Sequence, residues 1–332
     1  MNSQFSKLVN RRTLILPILL ALAVYAFLGV KSELGGKTSA WSGLHWQYVA
    51  LAFGLSLINY FFRFCNWQFY LKSIGIYTVP RLESLLIFIG GFALGITPGK
   101  VGEVVRSVLL KERHGIPLSK TGSLILVDRL TDVLALILIG SIGMVQLRYG
   151  FKILIVFTII TVGALIVLSS RTLSQKFLNV LKRISWLAKY EVHFERLYHS
   201  AYTLLQPSKL WVIMLLSLVS WSCEALGFYL IFQAFGITIS LNFAFFIYSF
   251  STLIGAAALL PGGLGLTEGS MTGLLVLLQV KEGVAAAATV LIRLATLWFG
   301  LVLGIISLAI LEAHPHLVQQ GSKEVMIDVP SE

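Results

Sequence analysis

Apolar residues run through the chain in blocks of about 17 to 25, the length a helix needs to cross a hydrocarbon layer about 30 Å thick, and polar residues collect between the blocks. The first block spans about 13–30, behind Lys7, Arg11 and Arg12, and resembles a signal sequence. Because apolar segments continue to residue 311, it is read as an uncleaved first membrane helix. Further blocks lie at about 46–70, 82–110, 119–147, 151–169, 210–235, 242–279 and 283–311. The blocks are too long for strands, and the ten-residue alternation of an outer-membrane barrel is missing from the pattern. The expected fold is an all-α polytopic membrane protein with eight hydrophobic segments. Two of them, 82–110 and 242–279, are interrupted by Pro-Gly. Each is read as a re-entrant hairpin that enters and leaves on one side, which leaves about six full spans.

Orientation follows from where the basic residues fall. The N-terminal arm carries three, and 169–209 carries Arg171, Lys176, Lys182, Arg183, Lys189, Arg196 and Lys209 against Glu191 and Glu195. The excess places both stretches, and both termini, on the cytoplasmic side of the cytoplasmic (inner) membrane. The first hairpin then opens to the cytoplasm, flanked by Lys72, Arg81, Lys111 and Arg113, and the second opens outward. Between Thr172 and Leu205, apolar residues recur near helical spacing with basic residues among them, as in an amphipathic helix lying on the inner leaflet. Residues 1–311 read as a single transmembrane domain, with repeat one at about 46–147, the linker at 170–209 and repeat two at about 210–311. The polar stretch 312–332 reads as a disordered cytoplasmic tail.

Composition narrows the picture. Of the 332 residues, 57% are hydrophobic and 12% are charged, against roughly 25% charged in soluble domains, so a water-soluble globular protein is excluded. The net charge of +11 would suggest nucleic acid if it formed a surface patch, but most Lys and Arg sit between apolar blocks, where they set topology and meet anionic headgroups. Nucleic acid is therefore not an expected partner. Cys65 and Cys223 both lie in apolar stretches, so neither a disulfide framework nor a CxxC metal site is expected. No cofactor is called for, and a homo-oligomer is left open.

The most informative feature is a repeat. Thr97-Pro98-Gly99-Lys100-Val101-Gly102-Glu103 and Leu260-Pro261-Gly262-Gly263-Leu264-Gly265-Leu266-Thr267-Glu268 each place a glycine four positions after the proline and then a Glu. Arg129 follows Pro98 by 31 positions and Arg293 follows Pro261 by 32, in the similar contexts LVDRLTD and VLIRLAT. Upstream, at 35 and 37 positions before the proline, stand Arg63 and Glu224, of opposite sign. Proline removes a backbone donor and glycine relaxes the chain, so each site breaks a helix. In hydrocarbon such a break belongs in the protein interior or along a cavity. An odd number of crossings between equivalent points makes the repeats inverted, the usual architecture for presenting one site alternately to two sides.

Nine ionisable residues fall inside the apolar blocks: Arg63, Glu103, Arg106, Asp128, Arg129, Asp132, Glu224, Glu268 and Arg293. Each costs about 2.5 to 3.5 kcal/mol at a helix centre, so they need partners, water or a function. Spacing puts Glu103 with Arg106, and Arg129 with Asp132, on one helix face, and Asp128 lies four before Asp132. Structural ion pairing accounts for such pairs. Equivalently placed Arg129 and Arg293 suit an anionic headgroup, because guanidinium binds phosphate bidentately and stays charged when desolvated. Glu103 and Glu268 would balance these arginines when the site is empty, or bind a coupling cation or proton.

PGKVGEVVRS, VDRLTD and PGGLGLTEGS together make the chain resemble the lysylphosphatidylglycerol synthase transmembrane-region family, also called flippase-like integral membrane proteins, over about residues 10 to 311. In the multiple peptide resistance factors, such a domain is implied to flip aminoacylated phosphatidylglycerol made by a soluble carboxy-terminal domain. Only about twenty polar residues follow Leu311, so the resemblance implies a stand-alone translocator and argues against aminoacyl transfer. The expected function is a non-enzymatic lipid translocator moving an anionic phospholipid or polyprenyl-phosphate-linked lipid between leaflets. Two alternatives stand beside it. One is an integral-membrane transferase in which Asp128 and Asp132 hold Mg²⁺ against a diphosphate, and the other is a non-transporting scaffold. The inverted repeat has a direct check. With Cys65 and Cys223 replaced, single cysteines at Lys111 and Lys281 will label from opposite sides of the membrane, and labelling from one side would overturn it.

Overall fold

The computed structural model describes residues 26, 41, 43–97, 102–144, 151–169, 199–258 and 260–314. The expectations for the first apolar block, for Pro98 and Gly99, for most of the basic linker and for the tail after His314 lie outside these residues. The described residues form helices and turns, with no strand among them.

Repeat one begins with α1 (Trp46–Ser73), followed by α2 (Arg81–Gly90), which tightens into a 3₁₀ turn over Gly91–Leu94. It continues with α3 (Gly102–His114) and α4 (Leu118–Met144), and then comes α5 (Phe151–Ser169). Repeat two runs through α6 (Pro207–Ala234), α7 (Leu241–Ala257), a 3₁₀ turn at Pro261–Gly263, α8 (Leu266–Leu277) and α9 (Glu282–Arg293). A π turn over Leu294–Trp298 joins α9 to α10 (Phe299–Ala313). Each Pro-Gly block is thus two helices. At 1.5 Å per residue, none of α2, α3, α7 and α8 reaches the roughly 30 Å of a hydrocarbon core.

Among the described residues, three helical stretches are long and apolar enough to cross a membrane: α1, α6 and the continuous run Glu282–Ala313. Helix α4 is 27 residues long but carries Asp128, Arg129 and Asp132 in its middle. Those charges, which sequence reasoning assigned to a site, are what lower its hydropathy.

Equivalent helices of the two repeats pack against each other. Helices α1 and α6, 28 residues each, form the most extensive helix pair among the described residues. Asn59 Nδ2 donates to Ser220 O at 2.8 Å, and Asn66 Nδ2 donates to Ser217 Oγ at 3.1 Å and to Ile213 O at 3.4 Å. Moving up seven residues on α1 moves down seven on α6, so the two helices are antiparallel. Buried amides that bond across helices are a standard adhesive where lipid is as apolar as leucine.

The repeats also interlock. Helix α7 of repeat two packs on α4 of repeat one, and α2 of repeat one packs on α10 of repeat two. Both crossings depend on glycine. A Cβ at Gly143 would collide with the Asn242 carbonyl oxygen, and one at Gly304 would collide with the Ala93 amide nitrogen. Small residues at such points let backbones approach and gain dispersion contact along their length. Gly54, on α1, has nothing within 4 Å of a built Cβ. Gly143→Val is therefore expected to cost at least about 1–3 kcal/mol by overpacking. In thermal denaturation in detergent it will lower the midpoint by several degrees, while Gly54→Ala leaves the midpoint in place; an unchanged Gly143→Val would contradict the close crossing.

Candidate functional site

In repeat two the backbone turns sharply after Leu260. Gly262, Gly263 and Gly265 have φ of 59°, 68° and 87°, the left-handed region that side chains with a Cβ seldom adopt. The turn frees polar backbone groups, and side chains further along answer them. Glu268, in the first turn of α8, accepts the Gly265 N–H through Oε2 at 2.7 Å and takes Arg293 Nε on Oε1, also at 2.7 Å. Arg293 Nη2 donates to the Gly262 carbonyl at 2.5 Å. The motif closes on itself: glycines make the break, the Glu satisfies an amide and the Arg a carbonyl. An acid at a helix N-terminus is favoured further by the helix dipole.

Repeat one makes the same pair. Glu103, in the first turn of α3, meets Arg129 Nη2 through Oε1 at 2.7 Å. The sequence-aligned Glu and Arg of both repeats are therefore ion pairs of equal length between the helix after each Pro-Gly and the helix that follows it. Gly102 opens α3 in the position that Gly265 holds before α8.

Around Arg129 the pairing is denser. Its Nη2 also lies 2.9 Å from Asp132 and 3.1 Å from Asp128, and Arg63 from α1 takes Asp132 at 3.0 Å and Asp128 at 3.4 Å. Tyr70 donates to Asp128 at 3.2 Å, and Trp221 Nε1 from α6 donates to Asp132 at 2.7 Å. All three carboxylates make their closest approach to one nitrogen of Arg129, and Arg129 Nε has no hydrogen-bond partner. The Arg129 side chain is 26% exposed against 11% for Arg293. Of the two, Arg129 is the more available to a ligand.

One expected pair does not form. Glu103 and Arg106 share a face of α3, but Glu103 turns to Arg129, and Arg106 Nε donates to the Phe88 carbonyl at 3.0 Å. Its guanidinium rests over the rings of Phe88, Phe92 and Trp67, at 4.3, 5.2 and 5.8 Å from their centroids. The reason is space. Gly91 leaves a gap that the Arg106 side chain fills, and a Cβ there would strike its Nε. Cation–π contact and one carbonyl then hold a buried charge without a carboxylate.

One cavity of about 480 Å³ joins the halves, with Arg63, Glu103, Arg129 and Asp132 on one side and Glu224, Gly262, Gly263 and Arg293 on the other. Asp128 and Arg106 instead line a smaller adjoining pocket with Glu103. Glu268 lies behind Arg293, 1% exposed. Of the second break, Gly262 and Gly263 reach the cavity wall, while Pro261 and Gly265 shape the turn. The lining is amphipathic, since Phe92, Leu136, Leu260 and Leu297 share it with the charges.

Sequence reasoning missed the aromatic polar groups. Tyr60, Trp221 and Tyr248 all line the cavity. Tyr60 donates to the Thr296 carbonyl at 2.5 Å, within the π turn that follows Arg293, and Tyr248 donates to Glu224 Oε2. A π turn widens the helix locally and frequently marks a functional site. A signal existed: Tyr60 precedes Arg63, and Trp221 precedes Glu224, by three positions, one face of a helix in each case. Inside apolar blocks, uncharged aromatic residues do not stand out from their neighbours. Among the described residues no three His, Cys, Asp or Glu side chains gather to hold a metal ion. Asp128 and Asp132, the expected Mg²⁺ ligands of the transferase alternative, are both engaged by Arg63 and Arg129.

The chain resembles proteins of matching length. It is 29% identical to a UPF0104 membrane protein of Methanothermobacter thermautotrophicus over 88% of this chain and 90% of that one. A second UPF0104 membrane protein of that organism is 26% identical over 90% of this chain and 93% of its own. One from Pyrococcus horikoshii is 23% identical over 78% and 85%. The profile described as lysylphosphatidylglycerol synthase TM region matches residues 14–304, nearly the whole apolar part. With its all-helical fold and membrane-length apolar helices, the chain belongs to the lysylphosphatidylglycerol synthase transmembrane-region family.

Proposed function

We propose that the protein is a non-enzymatic lipid translocator that moves an anionic phospholipid or polyprenyl-phosphate-linked lipid between leaflets. The observation that carries this reading is the Glu–Arg pair made once by each repeat, with both arginines on the wall of one amphipathic cavity. A headgroup phosphate docks on Arg129, whose bonds are crowded onto a single nitrogen, and then reaches Arg293 across the cavity. The apolar lining accommodates the start of an acyl or prenyl chain whose remainder stays in lipid. Helices α2–α3 and α7–α8 act as hairpins re-entering from opposite sides of the cytoplasmic membrane, with about six full spans and both termini cytoplasmic. Antiparallel packing of the equivalent helices α1 and α6 supports that inversion.

The carboxylates make the site reversible. An empty site holds its guanidiniums in ion pairs, so no cation is bared to low dielectric before an entering phosphate competes for it. Exchange of one anion for another around a fixed cation is cheaper than baring the cation to hydrocarbon.

Two experiments test the reading. Purified protein in liposomes will accelerate transbilayer movement of fluorescent phosphatidylglycerol or of a fluorescent polyprenyl phosphate, and Arg129→Ala will slow it at least tenfold; failure to move either probe would overturn the assignment. The second separates transport from folding. Arg293→Met alone leaves Glu268 buried and unpaired and will cost about 3–5 kcal/mol. Adding Glu268→Gln removes that charge while still accepting the Gly265 N–H, so most of the stability will return in denaturation assays. Transport will not return. A double variant that transports like wild type would reduce Arg293 to a structural role.

A further inference from the structure

The charges around the cavity do not balance in pairs. Four carboxylates, Glu103, Asp128, Asp132 and Glu268, sit in ion pairs of 2.7 to 3.4 Å with Arg63, Arg129 or Arg293. The fourth guanidinium, Arg106, is occupied by the Phe88 carbonyl and aromatic rings. The fifth carboxylate, Glu224, is 9% exposed and lines the cavity, and it has no ion pair among the described residues. Its hydrogen bond comes from the Tyr248 hydroxyl, a neutral group.

Facing Glu224 are Tyr60 and Arg63 from α1, Asp132 from α4, Tyr248 from α7 and Arg293 from α9. Both arginines are already held by other carboxylates. Among the described residues, the five carboxylates and four guanidiniums sum to −1 when all are ionised, and a proton on Glu224 offsets one negative charge. When an anion enters, ionised Glu224 adds a second negative charge beside it in the membrane interior, and the carboxylate removes that cost by taking a proton at that point. A negative wall also repels the anion that the arginines attract. The repeat gives an independent reason to single out this position, because its equivalent is Arg63, which has two carboxylate partners. Glu224 is thus the point at which the symmetry of charge is broken.

We propose that Glu224 is a proton-binding site that couples proton movement to movement of the anionic lipid, a step that rests on the translocator reading above. The anion and the proton bind together: the proton adds to the Glu224 carboxylate as the phosphate takes its place between Arg129 and Arg293. Both leave when the cavity opens to the other side, the carboxylic acid giving its proton back to water. For a singly charged headgroup such as a phosphodiester, one proton accompanies one negative charge, so the step is electroneutral. By linkage, whatever factor protonation adds to anion affinity, the anion adds to proton affinity. Anion affinity therefore falls as pH rises through the titration of Glu224.

The test uses full-length protein in phosphatidylcholine vesicles with fluorescent phosphatidylglycerol in one arm and a fluorescent polyprenyl phosphate in the other, and a pH dye inside. With the outside made acidic, wild type will carry the probe inward together with protons. At equilibrium the inner leaflet will hold about a tenfold excess for each unit of pH gradient, the ratio one proton per anion supports. Glu224→Gln keeps an acceptor for Tyr248 but cannot titrate, so its probe distribution will ignore the gradient whatever its rate. Glu224→Asp will restore a gradient response. Wild-type movement of a probe with no proton entry, or a Glu224→Gln protein that still follows the gradient, would overturn the coupling while leaving translocation in place. Movement of neither probe by wild type would overturn translocation and coupling together.

Discussion

Hydrocarbon offers no partner to a polar group, and the architecture of this protein follows from that constraint. A helix broken inside a membrane frees amides and carbonyls, and a buried arginine brings a charge that needs an acceptor. In the second repeat one device meets both demands. Arg293 satisfies the Gly262 carbonyl, Glu268 satisfies the Gly265 amide, and the two side chains neutralise each other. The first repeat carries a Glu–Arg bond of the same length, so a helix after Pro-Gly is fixed to its following helix twice in one molecule. The ionisable residues are costly only when taken singly. Paired, they hold open a polar cavity that an apolar core would fill.

The interlocking of the repeats gives that cavity its place. Because α7 packs on α4 and α2 on α10, the helix before each Pro-Gly rests on the last helix of the other repeat. Neither half completes its packing alone, and the two ion pairs face a common space. The close glycine crossings at Gly143 and Gly304 tie the two halves together. Discrete packing of this kind favours two arrangements over a continuum.

Identical backbones with identical ion pairs would make a site indifferent to which side it faces. The side chains remove that indifference. Arg63 brings the first repeat a second guanidinium, shared by Asp128 and Asp132, where the second repeat has Glu224 bonded to Tyr248. The half around Arg129 is a network with several alternative partners, and the half around Arg293 is a single closed pair that also holds the backbone. Of the two arginines, Arg129 is also the more exposed.

Much of this was written locally. Apolar block lengths give membrane helices because the bilayer fixes the length, and Pro-Gly gives the breaks because the backbone there lacks a donor and a Cβ. The spacing from proline to Glu to Arg marks equivalent positions because a repeated fold repeats its constraints. Partners were another matter. Glu103 and Arg106 share a helix face, yet Glu103 bonds to Arg129 and Arg106 lies among aromatic rings, since the choice depends on what α4 and the 3₁₀ turn present across the gap. Tyr60, Trp221 and Tyr248 look like filling in the sequence and become cavity walls only when α1, α6 and α7 are brought together. The sequence by itself determined the helices, the breaks and the list of costly charges, all set by contacts within a few residues. Tertiary structure alone decided which charges cancel and that Glu224 has no ion pair among the described residues, because those ion pairs join residues up to 69 positions apart, whose meeting is fixed by packing.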